Sequence, residues 1–329
     1  MKVAINGFGR IGRAVFKICM EKKINVVAIN DIHGVEDAAY LLKHDSVYGN
    51  YKGSVLVKGN NLIVNGKEIK VLNEKDPEKL PWKKLGADII IESTGVFRAR
   101  KDFSKHIKAG AKKVIITAPS DDVDITIVPG VNDHILKKTH QYISVASCTT
   151  NASATVIKVL DDKFQIKEAL LNTVHAYTST QALVDISDKK PRRGRAAALN
   201  IVPTSTGASE AVTEVIPGLK GKLNGLSIRV PVADGSIVDI TASLKKPFTA
   251  ESVNNELKKA SQGKFKGIIE YSTDELVSSD IIGNYHSAIV DSKLTLKEGS
   301  LIKVLAWYDN EYGYSSRVVD VINFLGKMK

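Results

Sequence analysis

Cysteine is scarce in this 329-residue chain, with only Cys19 and Cys148 present. Two residues cannot build the multi-bridge framework of a small secreted domain or a cysteine-rich zinc cluster. Unpaired cysteines suit a reducing compartment. No leader-like stretch precedes the first motif, so the expected location is cytoplasmic. Aromatics make up only 6% and no RNP-like aromatic run occurs, which argues against a sheet that stacks RNA bases. Apolar runs stop short of the ~18 residues that a membrane helix needs. Internal repeats, low-complexity segments and zinc-ligand spacing are lacking too, and no metal is expected.

What remains has a globular balance, 43% hydrophobic and 25% charged, at a length that suits two domains. The net charge of +11 admits a nucleic-acid binder as an alternative of a different class. The charge is spread over many lysines, however. The one compact basic run is Lys189-Lys190-Pro191-Arg192-Arg193-Gly194-Arg195. An anionic cofactor and a phosphorylated substrate account for a positive site without nucleic acid.

The N-terminal segment is the first specific signal. Lys2–Asn6 reads as a short apolar strand running into Gly7-Phe8-Gly9-Arg10-Ile11-Gly12. A helix follows with Ile11, Ala14, Val15, Ile18 and Cys19 on its apolar face, so Cys19 is expected to be buried. A second strand, 24–30, ends at Asp31. This is the strand–glycine turn–helix–strand–acid pattern of dinucleotide binding. The glycines admit a pyrophosphate to the helix N-terminus, and the acid accepts from a ribose 2′-hydroxyl.

The second signal is Cys148, within Ser147-Cys148-Thr149-Thr150-Asn151, directly before the helical pattern of Val156, Ile157, Leu160 and Phe164. A cysteine opening a helix has free N–H groups and the positive dipole end beside it, which favour the nucleophilic thiolate. His175 closes the next apolar run. A helix over 149–163 runs about 22 Å. A strand over 168–175 returns about 26 Å, so the imidazole can come back to the level of the thiol. A buried cysteine and an unrelated histidine remain the plainer reading of those two residues alone.

Strand candidates at 2–6, 24–30, 88–92, 113–117 and 142–145 alternate with helical stretches, which indicates a parallel sheet. Later runs at 224–231, 236–245, 267–271, 286–291 and 301–308 follow closely and suggest a mostly antiparallel sheet with helices on one face. The expected architecture is α/β. A Rossmann-type nucleotide-binding domain spans 1–147 and an α+β catalytic domain 148–311. A C-terminal helix over about 312–329 packs back onto the first domain.

Taken together these strings resemble the phosphorylating glyceraldehyde-3-phosphate dehydrogenase family almost end to end. The similarity is carried by Asn6–Arg13, Glu92-Ser93-Thr94-Gly95-Val96-Phe97, Ser147–Asn151, His175-Ala176-Tyr177-Thr178, Ile201–Ala208, Arg229-Val230-Pro231 and Trp307–Tyr314. The resemblance implies an NAD(P)-dependent aldehyde dehydrogenase that forms 1,3-bisphosphoglycerate through a thiohemiacetal and a thioester on Cys148, with His175 moving the proton. It implies cofactor contacts at Asn6, Gly7, Gly9, Arg10, Ile11, Gly12, Asp31, Ser93, Thr94, Gly95, Thr117, Ser187, Asn310 and Tyr314. Thr178, Thr180 and Arg229 would hold the substrate phosphate. Thr149, Thr206, Gly207 and Arg193 would hold the attacking phosphate, with Ser147 beside them. A homotetramer is implied as well.

Some positions depart from the common pattern. Ala152 stands where a second cysteine is frequent, and 128–132 differs slightly from the usual run. Ile186-Ser187 replaces the Leu-Pro of many strict NAD enzymes. Asp31 favours NAD because a carboxylate repels a 2′-phosphate, while Ser187 and the nearby donor His33 leave NADP possible. Erythrose-4-phosphate dehydrogenase shares the cysteine chemistry and is the nearest alternative. Aspartate-semialdehyde dehydrogenase shares the logic but not these strings.

Overall fold

Apolar strands covered on both faces read as nearly continuous Val/Ile runs, and this is how the first unit is built. The computed structural model describes residues 1–328. Its first unit comprises residues 1–127, 134–146 and 315–328. The order is β1 (Lys2–Asn6), α1 (Arg10–Glu21), β2 (Asn25–Asn30), α2 (Gly34–Lys43), β3 (Val55–Lys58), β4 (Asn61–Val64), β5 (Lys67–Leu72) and α3 (Trp82–Leu85). There follow β6 (Ile89–Glu92), α4 (Arg100–Phe103), α5 (Lys105–Lys108), β7 (Lys113–Ile116), β8 (Ile125–Thr126) and β9 (Tyr142–Ser144).

The strand order is β3-β4-β5-β2-β1-β6-β7-β9-β8. All pairings from β5 across to β8 are parallel. The sequence reading does not include β3–β5, an antiparallel extension in which Asn65 and Gly66 make the tight β4–β5 turn, both at positive φ. Its strands are short and its apolar alternation weak. In register, Asn30, Asn6 and Glu92 stand side by side at the C-terminal ends of β2, β1 and β6. That edge, where successive connections leave the sheet in opposite directions, is where ligands of such folds bind.

The second unit comprises 128–133 and 147–314. It holds α6 (Cys148–Phe164), β10 (Ile166–Ala176), β11 (Val202–Ser205), α7 (Ala208–Val215), β12 (Leu223–Val230) and β13 (Ser236–Leu244). Next come α8 (Ala250–Gln262), β14 (Ile269–Ser272), β15 (Ala288–Asp291), β16 (Leu296–Glu298) and β17 (Leu301–Tyr308). The last element, α9 (Tyr312–Lys327), starts in this unit and belongs to the first unit from residue 315 on. The strand order is β11-β12-β10-β13-β17-β15-β14, with β16 beside β17. Only the β10–β12 and β14–β15 pairings are parallel among the described residues, so the sheet is mixed and mainly antiparallel.

Strand alternation decides which side chains of β10 meet the helices. Leu171, Thr173 and His175 are buried on one face, whereas Leu170 on the other face is 65% exposed. The buried face lies against α6, so the strand carries His175 towards the helix that begins at Cys148.

In the first unit Asp45 is a focus of charge. Its carboxylate accepts from Arg10 Nη1 at 2.7 Å, Lys17 Nζ at 3.2 Å, and the N–H groups of Val47 and Tyr48 at 3.0 and 3.2 Å. Burial pushes its pKa up, but the Arg10 hydrogen bond and the backbone donors outweigh burial and hold it well below the usual carboxylate range. A depressed carboxylate stabilises the fold above its unfolded value, and that contribution fades as the pH falls through the folded value. Asp45→Asn is therefore expected to lose about 1.5–3 kcal/mol in urea unfolding at pH 7. The gap to wild type should narrow below about pH 4. A gap that is constant from pH 7 to pH 3 would contradict this role.

Candidate active site

The glycine turn divides its work among three glycines. Gly7 sits at φ +93°, and a Cβ there would lie 2.6 Å from the Thr94 nitrogen. A Cβ on Gly12 would lie 2.0 Å from the Gly7 carbonyl oxygen, so that glycine permits the helix to close on the strand. A Cβ on Gly9 would meet nothing within 4 Å. The protein's own packing does not require a glycine at position 9, whereas a phosphate approaching the backbone does. Gly7 and Gly9 line a cleft of about 440 Å³ that also includes Asn6, Asp31, His33 and Thr94.

Asp31 accepts from Phe8 N–H at 2.7 Å and His33 N–H at 3.0 Å, which fixes both carboxylate oxygens at the cleft. A ribose hydroxyl finds a preset acceptor there, and the residues present fit a dinucleotide. Arg10 is tied to Asp45, and Ile11 is half-buried on α1. Ser93 Oγ donates to the carbonyls of Asn6 and Gly7 at 3.1 and 2.7 Å. Gly95 adopts φ +71°, and the Thr117 hydroxyl donates to the Glu92 carbonyl at 3.1 Å. Ser187, Asn310 and Tyr314 belong to the second unit and do not line this cleft. Ser187 is exposed, Asn310 Oδ1 accepts from Ser236 at 2.6 Å, and Tyr314 is buried.

The nucleophile site lies within the second unit. Ala146, at φ +54°, turns the chain just before it. Ser147 is the N-cap of α6, and its Oγ accepts from Thr150 N–H at 3.1 Å and meets Thr150 Oγ1 at 2.7 Å. Its hydroxyl therefore serves the helix start rather than pointing out as a free ligand group. Cys148 is the first helical residue and half-buried, and its Sγ is 3.4 Å from His175 Nε2. His175 Nδ1 is 2.7 Å from the Ala176 carbonyl oxygen. A carbonyl only accepts, so Nδ1 carries the proton and Nε2 presents its lone pair to the thiol.

Charge and burial act on this pair in opposite directions. Burial pushes the Cys148 thiol up, while Arg229 pulls it down, aided by hydrogen bonds from Thr149. Burial, and then Arg229, push His175 down to about 3, against the pull of the Ala176 carbonyl. The surroundings favour a neutral imidazole, poised to take the thiol proton. Once that proton moves, thiolate and imidazolium stabilise each other at close range. The sequence attributes activation to the helix start and to the His175 imidazole. The structure adds Arg229, whose register partner across β10–β12 is His175.

Two groups of hydroxyl and guanidinium side chains adjoin this strand pair. Thr178 and Thr180 hydroxyls lie 2.9 Å apart, and Arg229 Nη1 is 3.4 Å from Thr178 Oγ1 and 3.0 Å from the Ala176 carbonyl oxygen. Arg229 Nε is buried without a hydrogen-bond partner among the described residues. Arg193 donates from Nε to Thr204 Oγ1 at 2.9 Å and from Nη2 to the Ser205 carbonyl at 3.2 Å. That places it beside Thr206, whose hydroxyl accepts from Ala208 N–H at 3.2 Å, and Gly207, the N-cap of α7. Thr149 instead meets Tyr308, their hydroxyls 2.9 Å apart.

Tyr308 is the residue that sequence reasoning missed. Its fully buried hydroxyl bridges Thr149 and Thr173, at 2.9 and 2.8 Å, and its ring packs edge-on to His175. The only available signal was its place in the Trp307–Tyr314 string. Its partners come from α6 and β10, more than a hundred residues away.

Cys19 is fully buried, and burial pushes its thiol up to about 12. Iodoacetamide at pH 7 should therefore label Cys148 and leave Cys19 unmodified in the folded protein. Arg229→Ala should slow Cys148 labelling several-fold, because the guanidinium that opposes the effect of burial on the thiol is lost. Equal labelling of the two cysteines, followed by peptide mass mapping, would refute the activated-thiol reading.

Comparison with known proteins agrees with this geometry. Residues 1–100 match the family model described as glyceraldehyde 3-phosphate dehydrogenase, NAD binding domain, and residues 147–310 match its C-terminal domain. The chain is 53% identical over 330 residues to glyceraldehyde-3-phosphate dehydrogenase 1 of Bacillus subtilis, covering 99% of this chain and 98% of that one. It is 55% identical over 331 residues to the glyceraldehyde-3-phosphate dehydrogenase of Thermotoga maritima, covering 99% of each. With that of Geobacillus stearothermophilus it shares 52% over 328 residues, 99% of this chain and 98% of the relative. With both halves matched and half of all residues shared along its length, the chain belongs to the glyceraldehyde-3-phosphate dehydrogenase family.

Proposed function

We propose that this protein oxidises glyceraldehyde 3-phosphate to 1,3-bisphosphoglycerate with NAD and inorganic phosphate. The observation that carries the reading is the Cys148–His175 pair, Sγ to Nε2 at 3.4 Å, with the tautomer set by Ala176. Cys148 Sγ bonds to the aldehyde carbon as its proton passes to His175 Nε2. The free N–H groups at the start of α6 stabilise the oxyanion, which becomes the thiohemiacetal hydroxyl. Asp31 and the glycine turn hold NAD, which supplies the hydride acceptor when bound. His175 takes the hydroxyl proton as the thioester forms. Phosphate oxygen then attacks the thioester carbon and Cys148 leaves as thiolate.

Asp31 supports NAD as the cofactor, since a preset carboxylate disfavours a 2′-phosphate. Arg193 and Lys190 are tied to Thr204 and Ser205, and Arg195 to Asp185. Two residues of the basic run are thus tied to β11, which supports a phosphate role over a nucleic-acid patch.

An open apolar sheet face supports assembly into a homotetramer. On that face Ile228, Val174, Ile237 and Trp307 align across β12, β10, β13 and β17. A sedimentation mass of four chains is expected, and a monomer at micromolar concentration would contradict it.

The decisive assay follows NADH formation from glyceraldehyde 3-phosphate, NAD and phosphate. Turnover should require all three and should exceed that with erythrose 4-phosphate. Cys148→Ser should abolish turnover yet retain NAD binding, because a serine hydroxyl stays un-ionised beside His175. Absence of NADH with the triose phosphate would overturn the reading.

Arginine substitutions separate the anion groups. Arg229→Ala should raise KM for glyceraldehyde 3-phosphate, and Arg193→Ala KM for phosphate, each by roughly ten- to a hundredfold with KM for NAD little changed. Loss of oligonucleotide binding without kinetic change would instead support the nucleic-acid alternative.

A further inference from the structure

A buried polar chain lies beneath the nucleotide cleft in the first unit. Trp82 and His106 have no exposed surface, and Glu92 and Asn6 are almost fully buried. Trp82 Nε1–H donates to His106 Nδ1 at 3.0 Å, and His106 Nε2 lies 3.0 Å from Glu92 Oε2. An indole N–H only donates, so Nδ1 is the unprotonated nitrogen and Nε2 carries the proton towards the carboxylate. Trp82 thus selects the tautomer that His106 needs to serve Glu92.

The carboxylate passes this constraint on to the cleft. Glu92 Oε2 also accepts from Asn6 Nδ2 at 2.6 Å, and Oε1 accepts from Thr94 N–H at 2.9 Å and from the Thr94 hydroxyl. Asn6 Oδ1 accepts in turn from Asn30 Nδ2 at 2.7 Å. Four donors on one buried carboxylate meet the demand of an ion removed from water. Asn6 and the Thr94 hydroxyl are tied into this network, so they help to frame the cleft that they line. The Gly7 turn rests directly on Ser93 and Thr94, closely enough that even a Cβ on Gly7 would collide with them.

We propose that Trp82, His106 and Glu92 form a positioning relay that sets the Asn6–Gly7 turn against Ser93–Thr94 and so fixes the floor of the dinucleotide cleft. None of the three lines the cleft. The inference rests on the dinucleotide reading of that cleft. A buried carboxylate alone would repel an anionic ligand, so the relay's contribution is geometric.

NAD affinity of the purified full-length protein, measured by titration calorimetry, tests this together with thermal unfolding of the unliganded protein. His106→Leu removes both hydrogen bonds and should weaken NAD binding about tenfold or more. His106→Gln should restore affinity to within about threefold, because an amide oxygen can accept from Trp82 while the amide N–H₂ donates to Glu92. Trp82→Phe frees the tautomer and should fall between the two. Glu92→Gln turns an amide towards two donors and should weaken binding, whereas a purely electrostatic role predicts tighter binding. Variants with lowered melting temperatures but unchanged affinity would overturn the relay, as would tighter binding by Glu92→Gln. If His106→Leu does not fold, the Trp82→Phe and Glu92→Gln affinities decide. Wild-type protein that fails to bind NAD would overturn the cleft reading itself, and the relay with it.

Discussion

One carbonyl organises the chemistry of this protein. The Ala176 oxygen accepts from His175 Nδ1 at 2.7 Å and from Arg229 Nη1 at 3.0 Å. The first bond fixes which imidazole nitrogen faces Cys148. The second holds a guanidinium where it lowers the thiol and leans towards Thr178. Both follow from the parallel β10–β12 register, which sets His175 beside Arg229. Slipping that register by one residue would put the two side chains on opposite faces of the sheet and separate the base from its neighbouring charge.

The same economy appears around α6. Ser147 caps the helix, which keeps its first turn rigid while the N–H groups beside Cys148 remain available. Tyr308, delivered by β17, meets Thr149 on α6 and Thr173 on β10. Its buried hydroxyl is fully partnered, so it fixes the spacing between helix and strand at low energetic cost. In the first unit the polar edge of the sheet has a comparable task, since Asn30, Asn6 and Glu92 lock three strand ends beneath the glycine turn.

Much of this was legible in the sequence where the signal is local. β1, the glycine turn, α1, β2 and Asp31 form one continuous pattern, and the Cys148 helix and His175 strand lie where segment lengths put them. The β3–β5 extension was not legible, because its strands are short and half-exposed and a turn such as Asn65-Gly66 is informative only once its flanks are known to pair. The tethering of Arg193 to Thr204, the bridging by Tyr308 and the His106–Glu92 contact depend on long-range register, which one chain of letters does not reveal. Ser147 shows a further limit. A serine before a helix is equally a cap and a ligand group, and only the observed bond to Thr150 separates the two.

The account stands on Cys148 carrying the acyl group. The most direct test incubates the protein with glyceraldehyde 3-phosphate and NAD in the absence of phosphate, quenches in acid and maps the adduct by mass spectrometry. The expected result is a phosphoglyceroyl thioester confined to the peptide containing Cys148, discharged when phosphate is added. NADH formation with no adduct on Cys148, or with the acyl group on another residue, would contradict it.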